Sequence, residues 1–240
     1  MRGTSTSASL SGEAYNIVRQ RILRGELTLG QVISRRTLAS ELGMSFLPVS
    51  EALLRLEVEG LLESRPRAGT RVRIPTPQDV EGHYVVREAL EMQAARLFTQ
   101  VATAEEKAEL HRLAVRLDTI SPEPEKDRSQ YLNLHEKLHR KIAEYARCPA
   151  LCDAIEQTHA LASTWMCVGG SGHAPRRHQI LMEALASGDA ALATEAMREH
   201  VRSSQQDALS RLIPYFKLQK TRGTRYTRSA KNQPALPNGN

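Results

Sequence analysis

The N-terminal third of the chain places its apolar residues at the spacing of three short α-helices. From Ala14 they recur every three or four positions until GELTLG interrupts them. A second helix is predicted to begin after Ser34 and to end at Gly43. A third begins after Ser45 and tolerates Pro48 in its first turn. The apolar positions of the three predicted helices are Tyr15, Val18 and Ile22; Leu38 and Leu42; and Val49, Leu53 and Leu56.

A short, basic, extended segment follows the third helix. In GLLESRPRAGTRVRIP, the pieces LLESR and TRVRI flank Gly69, which predicts a hairpin with a tight turn. Three helices and a hairpin, with the last two helices joined by the ELGMS turn, form a winged helix-turn-helix. We predict this domain over residues 12–75, after a Ser/Thr/Gly-rich terminus, residues 1–11, that we expect to be disordered.

Beyond the hairpin the pattern predicts helices and no strand. We interpret TPQD, residues 76–79, as a linker. A capping box of Thr103 and Glu106 marks the start of one helix. The fold class is therefore mainly α: a winged helix-turn-helix and an all-α helical bundle over residues 80–214, followed by a basic tail, 215–240, expected to be disordered. The predicted helices span about 80–100, 104–118, 127–146, 149–164, 175–187 and 189–213.

The charge is unevenly divided along the chain. Residues 1–75 carry 11 Lys and Arg against 7 Asp and Glu, a net charge of +4. Residues 76–216 carry 16 against 20, a net charge of −4, and the tail after them carries 6 basic residues and no acid. This asymmetry indicates a polyanion as the partner of the N-terminal domain, with the tail assisting.

Membrane and disulfide signals are weak. No run of 18 apolar residues occurs and the N-terminus lacks the apolar stretch of a secretory signal, so we expect no membrane partner and a cytoplasmic protein. Cys148, Cys152 and Cys167 are too few for a disulfide framework. We interpret them as small buried thiols, the alternative being that Cys148 and Cys152, one helical turn apart, join a metal site.

Two histidines share one face of a predicted helix. In LHEKLHRKIAEY, His135 and His139 are four residues apart, which stacks their imidazoles about one turn apart. Such a pair by itself is more often exposed or hydrogen-bonded than bound to a metal, so both interpretations stay open on spacing alone.

The order of the segments and several motifs make the chain resemble the GntR family of bacterial winged-helix transcription regulators. The family's DNA-reading domain is similar to SRRTLASELGMSFLPVSEALLRLEVEGLLESRPRAGTRV. The FadR-like branch, whose all-helical effector domain is called FCD, is similar to YVVREALE, LHRKIAEYARCPAL, RRHQILMEALASGDAALA and MREHV. The resemblance covers about residues 12–210. It implies a homodimer that binds a pseudo-palindromic operator in double-stranded DNA.

The resemblance also marks residues expected to contact DNA. Phe46 and Ser50 stand where the family most often has arginines, and Leu47 stands where threonine is usual. Phe and Leu pack on thymine methyl groups, whereas Ser bonds a base or a phosphate. The arginines around Gly69 contact phosphates or, in the alternative interpretation, form a solvated basic hairpin. The expected DNA-binding residues are Arg35, Arg36, Ser45, Phe46, Leu47, Ser50, Arg67, Gly69 and Arg71.

For the helical domain the resemblance implies a metal site. Metal-binding members of this branch combine an acid and a histidine on one helix with two later histidines. His139, His178 and His200 match these histidines, and His135 stands where the family usually has Asp. We predict that these four residues bind a divalent transition metal, Zn²⁺ or Ni²⁺, because an all-nitrogen ligand set favours borderline ions. The remaining histidines, interpreted as ordinary, are His83, His111, His159 and His173.

Arg87, in VVREALE, is the candidate effector-binding residue. Many members of the branch place this arginine near the effector cavity, and its planar fork suits the carboxylate of a small organic acid. A structural salt bridge to a helix acid is an equally good interpretation. Trp165 and Met166 are interpreted as core residues.

Together these features predict a DNA-binding transcriptional regulator, expected to be a repressor, whose operator binding responds to a small carboxylate effector. We expect no enzyme. The alternatives are a hydrolase that uses the metal site, although HExxH, a Gly-rich phosphate loop and a nucleophile elbow are missing from the sequence, and a degenerate regulator that binds a protein through Phe46 and Leu47.

Overall fold

The structure is a computed structural model that describes residues 9–65, 69–120, 125–166 and 176–230. Its N-terminal domain contains three helices and a small sheet, which confirms the predicted winged helix-turn-helix. The elements are α1 (Leu10–Leu23), β1 (Val32–Ile33), α2 (Arg35–Leu42), α3 (Phe46–Val58), β2 (Leu62–Arg65) and β3 (Gly69–Val72).

Local sequence signals set the helix ends of this domain. The Ser34 side chain accepts a hydrogen bond from Thr37 N, which caps α2 as predicted. Gly43 ends α2 with φ of +62°, a left-handed conformation that glycine adopts without strain. Ser45 occupies the N-cap position of α3, but its side chain makes no capping hydrogen bond there.

The sheet has three antiparallel strands in the order β1-β3-β2. The hairpin β2–β3 was predicted, whereas β1 was not, because a two-residue strand is too short to show alternation. Glu57, on α3, accepts hydrogen bonds from the backbone and side chain of Ser64, on β2. These bonds fix the hairpin, hereafter the wing, against the recognition helix α3.

The C-terminal domain is an all-α bundle, also as predicted. In the described part of the chain no strand follows β3. Its helices bury one continuous core that includes Trp165 and Met166, both interpreted correctly as core residues. The helices are α4 (Pro77–Val101), α5 (Ala104–Thr119), α6 (Glu125–Tyr145), α7 (Pro149–Met166), α8 (Arg177–Ala186) and α9 (Ala190–Ala230).

The predicted linker, 76–79, is the N-terminus of α4. Thr76 and Asp79 form a capping box in which Asp79 N donates to Thr76 Oγ1 (3.1 Å) and Thr76 N donates to Asp79 Oδ2 (2.8 Å). Asp79 also pairs with Arg73, next to the wing, at 2.9 Å. The turn-forming residues of TPQD therefore start the helix, since Pro is well accepted in a first helical turn.

Both predicted disordered termini are partly helical. At the N-terminus, Ser9 caps α1, which starts at Leu10, and residues 1–8 lie outside the described residues. At the C-terminus, α9 passes Pro214 and continues to Ala230. Polar composition alone did not indicate a helix, but no further proline interrupts the chain before Pro234. Residues 231–240 are not described.

None of the described helices combines the length and apolar character needed to cross a lipid bilayer. Cys148 and Cys152 are free, half-buried thiols rather than fully buried ones, and Cys167 lies outside the described residues.

Candidate functional site

The N-terminal domain presents a surface built from the starts of α2 and α3 and from the wing. Arg36, in the first turn of α2, is exposed and forms no ion pair with any described residue. Its neighbour Arg35 donates to Thr70 Oγ1 on β3 at 3.2 Å, which joins α2 to the wing. An uncompensated, exposed guanidinium is available for a DNA phosphate or a base edge.

The first turn of α3 is apolar where it meets solvent. Phe46 and Leu47 expose 52% and 66% of their surface. Their contact with DNA stays a prediction. The side-chain oxygen of Ser50 is buried and has no hydrogen-bond partner among the described residues. In this structure Ser50 therefore does not present its hydroxyl to DNA, in contrast to the expected base or phosphate contact.

The wing is less basic than its sequence indicated. Gly69 adopts φ of +75° where β3 begins, which agrees with the predicted tight turn. Arg71 Nε donates to Glu63 Oε1 at 2.5 Å, so a carboxylate on the paired strand compensates its charge. Arg67 lies outside the described residues.

Five histidines converge in the buried interior of the C-terminal bundle. The predicted residues His135 and His139 lie on α6, His178 on α8 and His200 on α9. The fifth, His159 on α7, was interpreted as ordinary but is as buried as the others. Its position had no signal in the sequence, because no fixed spacing relates it to the α6 pair. We call these residues the histidine cluster.

Among the described residues, the cluster has two groups of candidate metal ligands. In the first group, His135, His178 and His200 each offer one ligand atom, and these atoms lie within 4.8 Å of one another. In the second group, Glu91, His139 and His159 meet the same distance limit. The groups meet where His139 Nε2 lies 3.3 Å from His200 Nε2. The fold thus brings the four predicted ligands together and adds two residues that the sequence did not single out.

Asp118, at the C-terminal end of α5, orients His178. Its Oδ1 lies 2.6 Å from His178 Nδ1 and also accepts from His178 N, while Oδ2 accepts from Gln179 N. Burial by itself raises the pKa of Asp118, but these hydrogen bonds outweigh it and hold the pKa below its usual value. His178 Nε2, the other ring nitrogen, is buried without a partner among the described residues. A histidine that ligates a metal ion typically has a carboxylate at one ring nitrogen and leaves the other ring nitrogen available for the ion. His178 has this arrangement.

Glu91, on α4, lies against His139 through its carboxylate. Its Oε2 contacts His139 Nδ1, and its Oε1 lies 2.5 Å from Arg87 Nε and 3.2 Å from His159 Nε2. Burial by itself raises the pKa of Glu91, but Arg87 and the two histidines hold it well below its ordinary value. Glu91 is therefore an anion that directs His139 Nε2 toward His200.

Burial keeps three histidines of the cluster, His135, His139 and His200, neutral. Burial lowers the pKa of His139 to about 3 and holds that of His135 and His200 well below the ordinary value, and the neighbouring cluster residues reinforce the shift in His135. Neutral imidazoles have a free lone pair, which is the form that binds a metal ion.

Arg87 is fully buried with only part of its guanidinium engaged. Its Nε donates to Glu91, which is the salt bridge of one interpretation. Its two terminal nitrogens have no hydrogen-bond partner among the described residues, and the guanidinium lies 5.4 Å from the Tyr84 ring. Buried donors without a partner cost free energy, so the two terminal nitrogens of Arg87 are suited to bind an anion. This arrangement is compatible with the effector-binding interpretation of Arg87.

The helices of the cluster also contact the N-terminal domain. Glu136, beside His135 on α6, accepts two 3.0 Å hydrogen bonds from Arg19 Nη2 on α1. Leu161, two residues after His159 on α7, packs against both hydrophobic cores. These two contacts between the domains therefore lie on α6 and α7, the helices that carry three of the five histidines.

We expect Arg19 and Glu136 to stabilise the contact between the domains by about 1 kcal/mol, the upper end for accessible pairs, because the guanidinium is only 14% exposed. A double-mutant cycle with Arg19→Ala and Glu136→Ala, measured by urea unfolding, gives this coupling energy. The more exposed pair Arg21 and Glu41, within one domain, is the control and should give less. Additive effects of the two substitutions would contradict the assignment.

Comparison with known families matches both parts of the chain. Residues 10–72 match the family described as bacterial regulatory proteins, gntR family, and residues 83–203 match the FCD domain. The two matches fall on the winged helix-turn-helix and on the helical bundle, respectively.

Relatives and solved structures give the same result. The chain is 29% identical over 203 residues to the "Probable D-xylose utilization operon transcriptional repressor" of Paenarthrobacter nicotinovorans, covering 82% of this chain and 87% of that protein. It is 30% identical over 156 residues to the regulator McbR of Escherichia coli (strain K12), covering 65% and 69%.

Among solved structures, E. coli McbR/YncC matches with a TM-score of 0.67 at 24% identity, over 87% of this chain and 99% of that one. A GntR regulator from Rhodococcus sp. RHA1 matches with a TM-score of 0.71 at 20% identity, over 84% and 98%. These likenesses support the fold, and the named relatives are regulators, in agreement with the prediction that the chain is not an enzyme.

Proposed function

Because the chain belongs to the gntR family of bacterial regulatory proteins and carries an FCD domain, we propose that it is a homodimeric repressor whose operator binding responds to a small carboxylate. The effector would lie beside a divalent metal ion in the histidine cluster. The observation that supports this most is the convergence of buried imidazoles with an arginine whose terminal nitrogens have no hydrogen-bond partner among the described residues.

The repressor role rests on the relatives and on the reading surface. Two of the similar proteins, the D-xylose operon protein and RspR of E. coli, are named repressors. A homodimer would place two copies of the α2–α3 surface on the two halves of a pseudo-palindromic operator. Exposed Val85 and Val86 on α4 provide an apolar strip on the bundle that suits burial against a second copy.

Replacing Arg36 by Ala should weaken binding to all DNA sequences and reduce the slope of log affinity against log salt by about 1, because one phosphate contact is lost. Gel-shift titrations at several salt concentrations measure both quantities. Arg24→Ala is the matched control, since Arg24 is an exposed arginine of the same domain that follows the C-terminal end of α1. Equal salt slopes for the Arg36 variant and the wild type would contradict this role.

The residues present fit a transition metal. His135, His139, His178 and His200 would hold the ion, while Asp118 and Glu91 orient His178 and His139 from behind. Nitrogen ligands favour Zn²⁺ or Ni²⁺ over Mg²⁺. When bound, the ion supplies positive charge for a carboxylate. It would also satisfy His178 Nε2, which has no partner among the described residues.

Arg87 would hold the other end of the effector. Its free terminal nitrogens present two parallel donors, and a carboxylate accepts such a pair in a bidentate manner. The salt bridge to Glu91 uses Nε alone, so the structural and the effector-binding roles of Arg87 are compatible.

The effector signal has a short route to the DNA-reading domain. A ligand that changes the packing of α6 or α7 around His135 and His159 would also act on Glu136 and Leu161, the residues that contact the other domain. A carboxylate would therefore shift the DNA-reading domains between two arrangements with different operator affinity.

Thermal unfolding of the purified protein with Zn²⁺ or Ni²⁺, each with and without acetate or succinate, tests the proposed sensor. We expect the metal to raise the Tm, and the carboxylate to raise it further only when metal is present. Gel shifts under the same conditions test whether these ligands change DNA affinity. A Tm that responds to neither metal would contradict the proposed site.

A further inference from the structure

The recognition helix α3 has no free cation with which to read guanine. Its single basic residue is Arg55, in the last turn, which donates to Glu59 and lies 3.9 Å over the Tyr15 ring. The bidentate pairing of arginine with guanine, the commonest base-specific contact in the major groove, is therefore not available from α3. Whatever sequence preference this helix has must come from other chemistry.

The exposed side chains at the N-terminal end of α3 are apolar. Phe46 and Leu47 occupy its first two positions, and the start of a recognition helix is the part that approaches base edges. The hydroxyl of Ser50, in the second turn, is buried, so the exposed hydroxyl beside the pair is that of the N-cap residue Ser45. Two large apolar side chains on a reading surface bury their area favourably only against an apolar partner.

The surroundings of this apolar pair favour DNA as that partner. Arg36 is exposed at the start of α2 and forms no ion pair with a described residue, and Arg35 links α2 to the wing. Arg65 lies at the exposed end of β2, where it pairs with Glu63 at 3.4 Å. A domain that exposes both apolar side chains and arginines is complementary to a polyanion that carries apolar groups between its phosphates. In the major groove the C5-methyl group of thymine is that apolar group.

We propose that Phe46 and Leu47 read thymine methyl groups, so that α3 selects its half-site through methyl contacts instead of hydrogen bonds to guanine. This inference rests on the proposed operator binding and names the chemistry by which the operator is recognised. Thymines in each half-site would stand opposite the first turn of α3, while Arg36 and the wing supply affinity that does not depend on sequence.

The test replaces thymine by deoxyuridine, which keeps the base pair and removes only the methyl group. Full-length protein is used to select duplexes from a random DNA library, and the enriched duplex is then synthesised with deoxyuridine at one thymine at a time. We expect binding about fourfold weaker at each thymine that is read, because burying one such group contributes about 0.8 kcal/mol.

Variants assign each methyl group to its side chain. Phe46→Ala and Leu47→Ala should each abolish the difference between thymine and deoxyuridine at one position of the half-site, and both residues are exposed enough to be truncated without harm to the core. Val58→Ala is the matched control, because Val58 is an exposed apolar residue at the far end of α3, and it should keep every difference.

Two results would overturn the proposal, and they are distinguishable. Specific binding of the selected duplex with equal affinity for its thymine and deoxyuridine forms would reject methyl reading and leave operator binding intact. Failure to enrich any duplex would reject operator binding as well, and would favour a protein partner for the exposed Phe46 and Leu47.

Discussion

Replacing His178 by Ala is expected to abolish stoichiometric binding of Zn²⁺ or Ni²⁺. Asp118 orients His178 through Nδ1, and Nε2 has no hydrogen-bond partner among the described residues. Removing the imidazole therefore removes one of the four proposed ligands. At a metal concentration about 1,000 times the Kd, the bound ion stabilises the folded wild type by roughly 4 kcal/mol. The variant should lack this metal-dependent rise in stability. Metal content after purification without a nickel column, and urea unfolding with and without metal, measure both effects.

A matched histidine separates the loss of a ligand from nonspecific binding. His111→Ala removes an exposed histidine on α5 outside the cluster and should leave metal content and stability unchanged. Glu91→Gln keeps all four histidines and removes the carboxylate beside His139, so metal affinity should fall about 10- to 100-fold without being lost. The variant also leaves Arg87 buried without its anion, so metal affinity is compared without denaturant at a temperature where the variant is folded. Equal metal content in wild type and the His178 variant would contradict the site.

Replacing Arg87 by Met should destabilise the protein by about 3–5 kcal/mol, because it leaves Glu91 buried without its cation. The same variant should lose the response of the Tm to acetate and succinate, since the donors proposed to hold the carboxylate are gone. Urea unfolding measures the first effect and thermal unfolding with ligand measures the second.

A double variant separates the two roles of Arg87. Combining Arg87→Met with Glu91→Gln removes both buried charges and should recover much of the lost stability, while the carboxylate response stays absent. Arg96→Met, a half-exposed arginine on the same helix, is the control and should change stability by less than about 0.5 kcal/mol. A full carboxylate response in the stable double variant would refute the effector role.

Helix positions were predictable because their signals are local. Ser34 and Gly43 bound α2, and Thr103 with Glu106 starts α5, each through hydrogen bonds or backbone conformations that span only a few residues. The failures were also local in cause. β1 has only two residues, too few to show the alternation of a strand. TPQD has the composition of a linker but also forms a capping box. The polar tail has no periodic apolar residues that would mark the end of α9.

The metal-ligand prediction depended on two kinds of information. The pair His135 and His139 follows from helical spacing, whereas His178 and His200 were singled out by resemblance to a family. Glu91, Asp118 and His159 carried neither signal. Glu91 meets His159 across 68 positions of sequence, and Asp118 meets His178 across 60, so these contacts exist only once the helices have packed.

The sequence by itself determined the order of the two domains, most helix ends and the face shared by His135 and His139, because each depends on interactions within a few residues. Only the tertiary structure decided the state of the side chains that would do the chemistry. Packing of helices α4 through α9 buries Arg87 and leaves its two terminal nitrogens without a hydrogen-bond partner in the part of the chain that the structure describes. The same packing keeps His135, His139 and His200 neutral and places a carboxylate beside His139 and His178. Burial and contact between distant helices set hydrogen-bond partners and pKa values, and neither can be read from spacing along one chain.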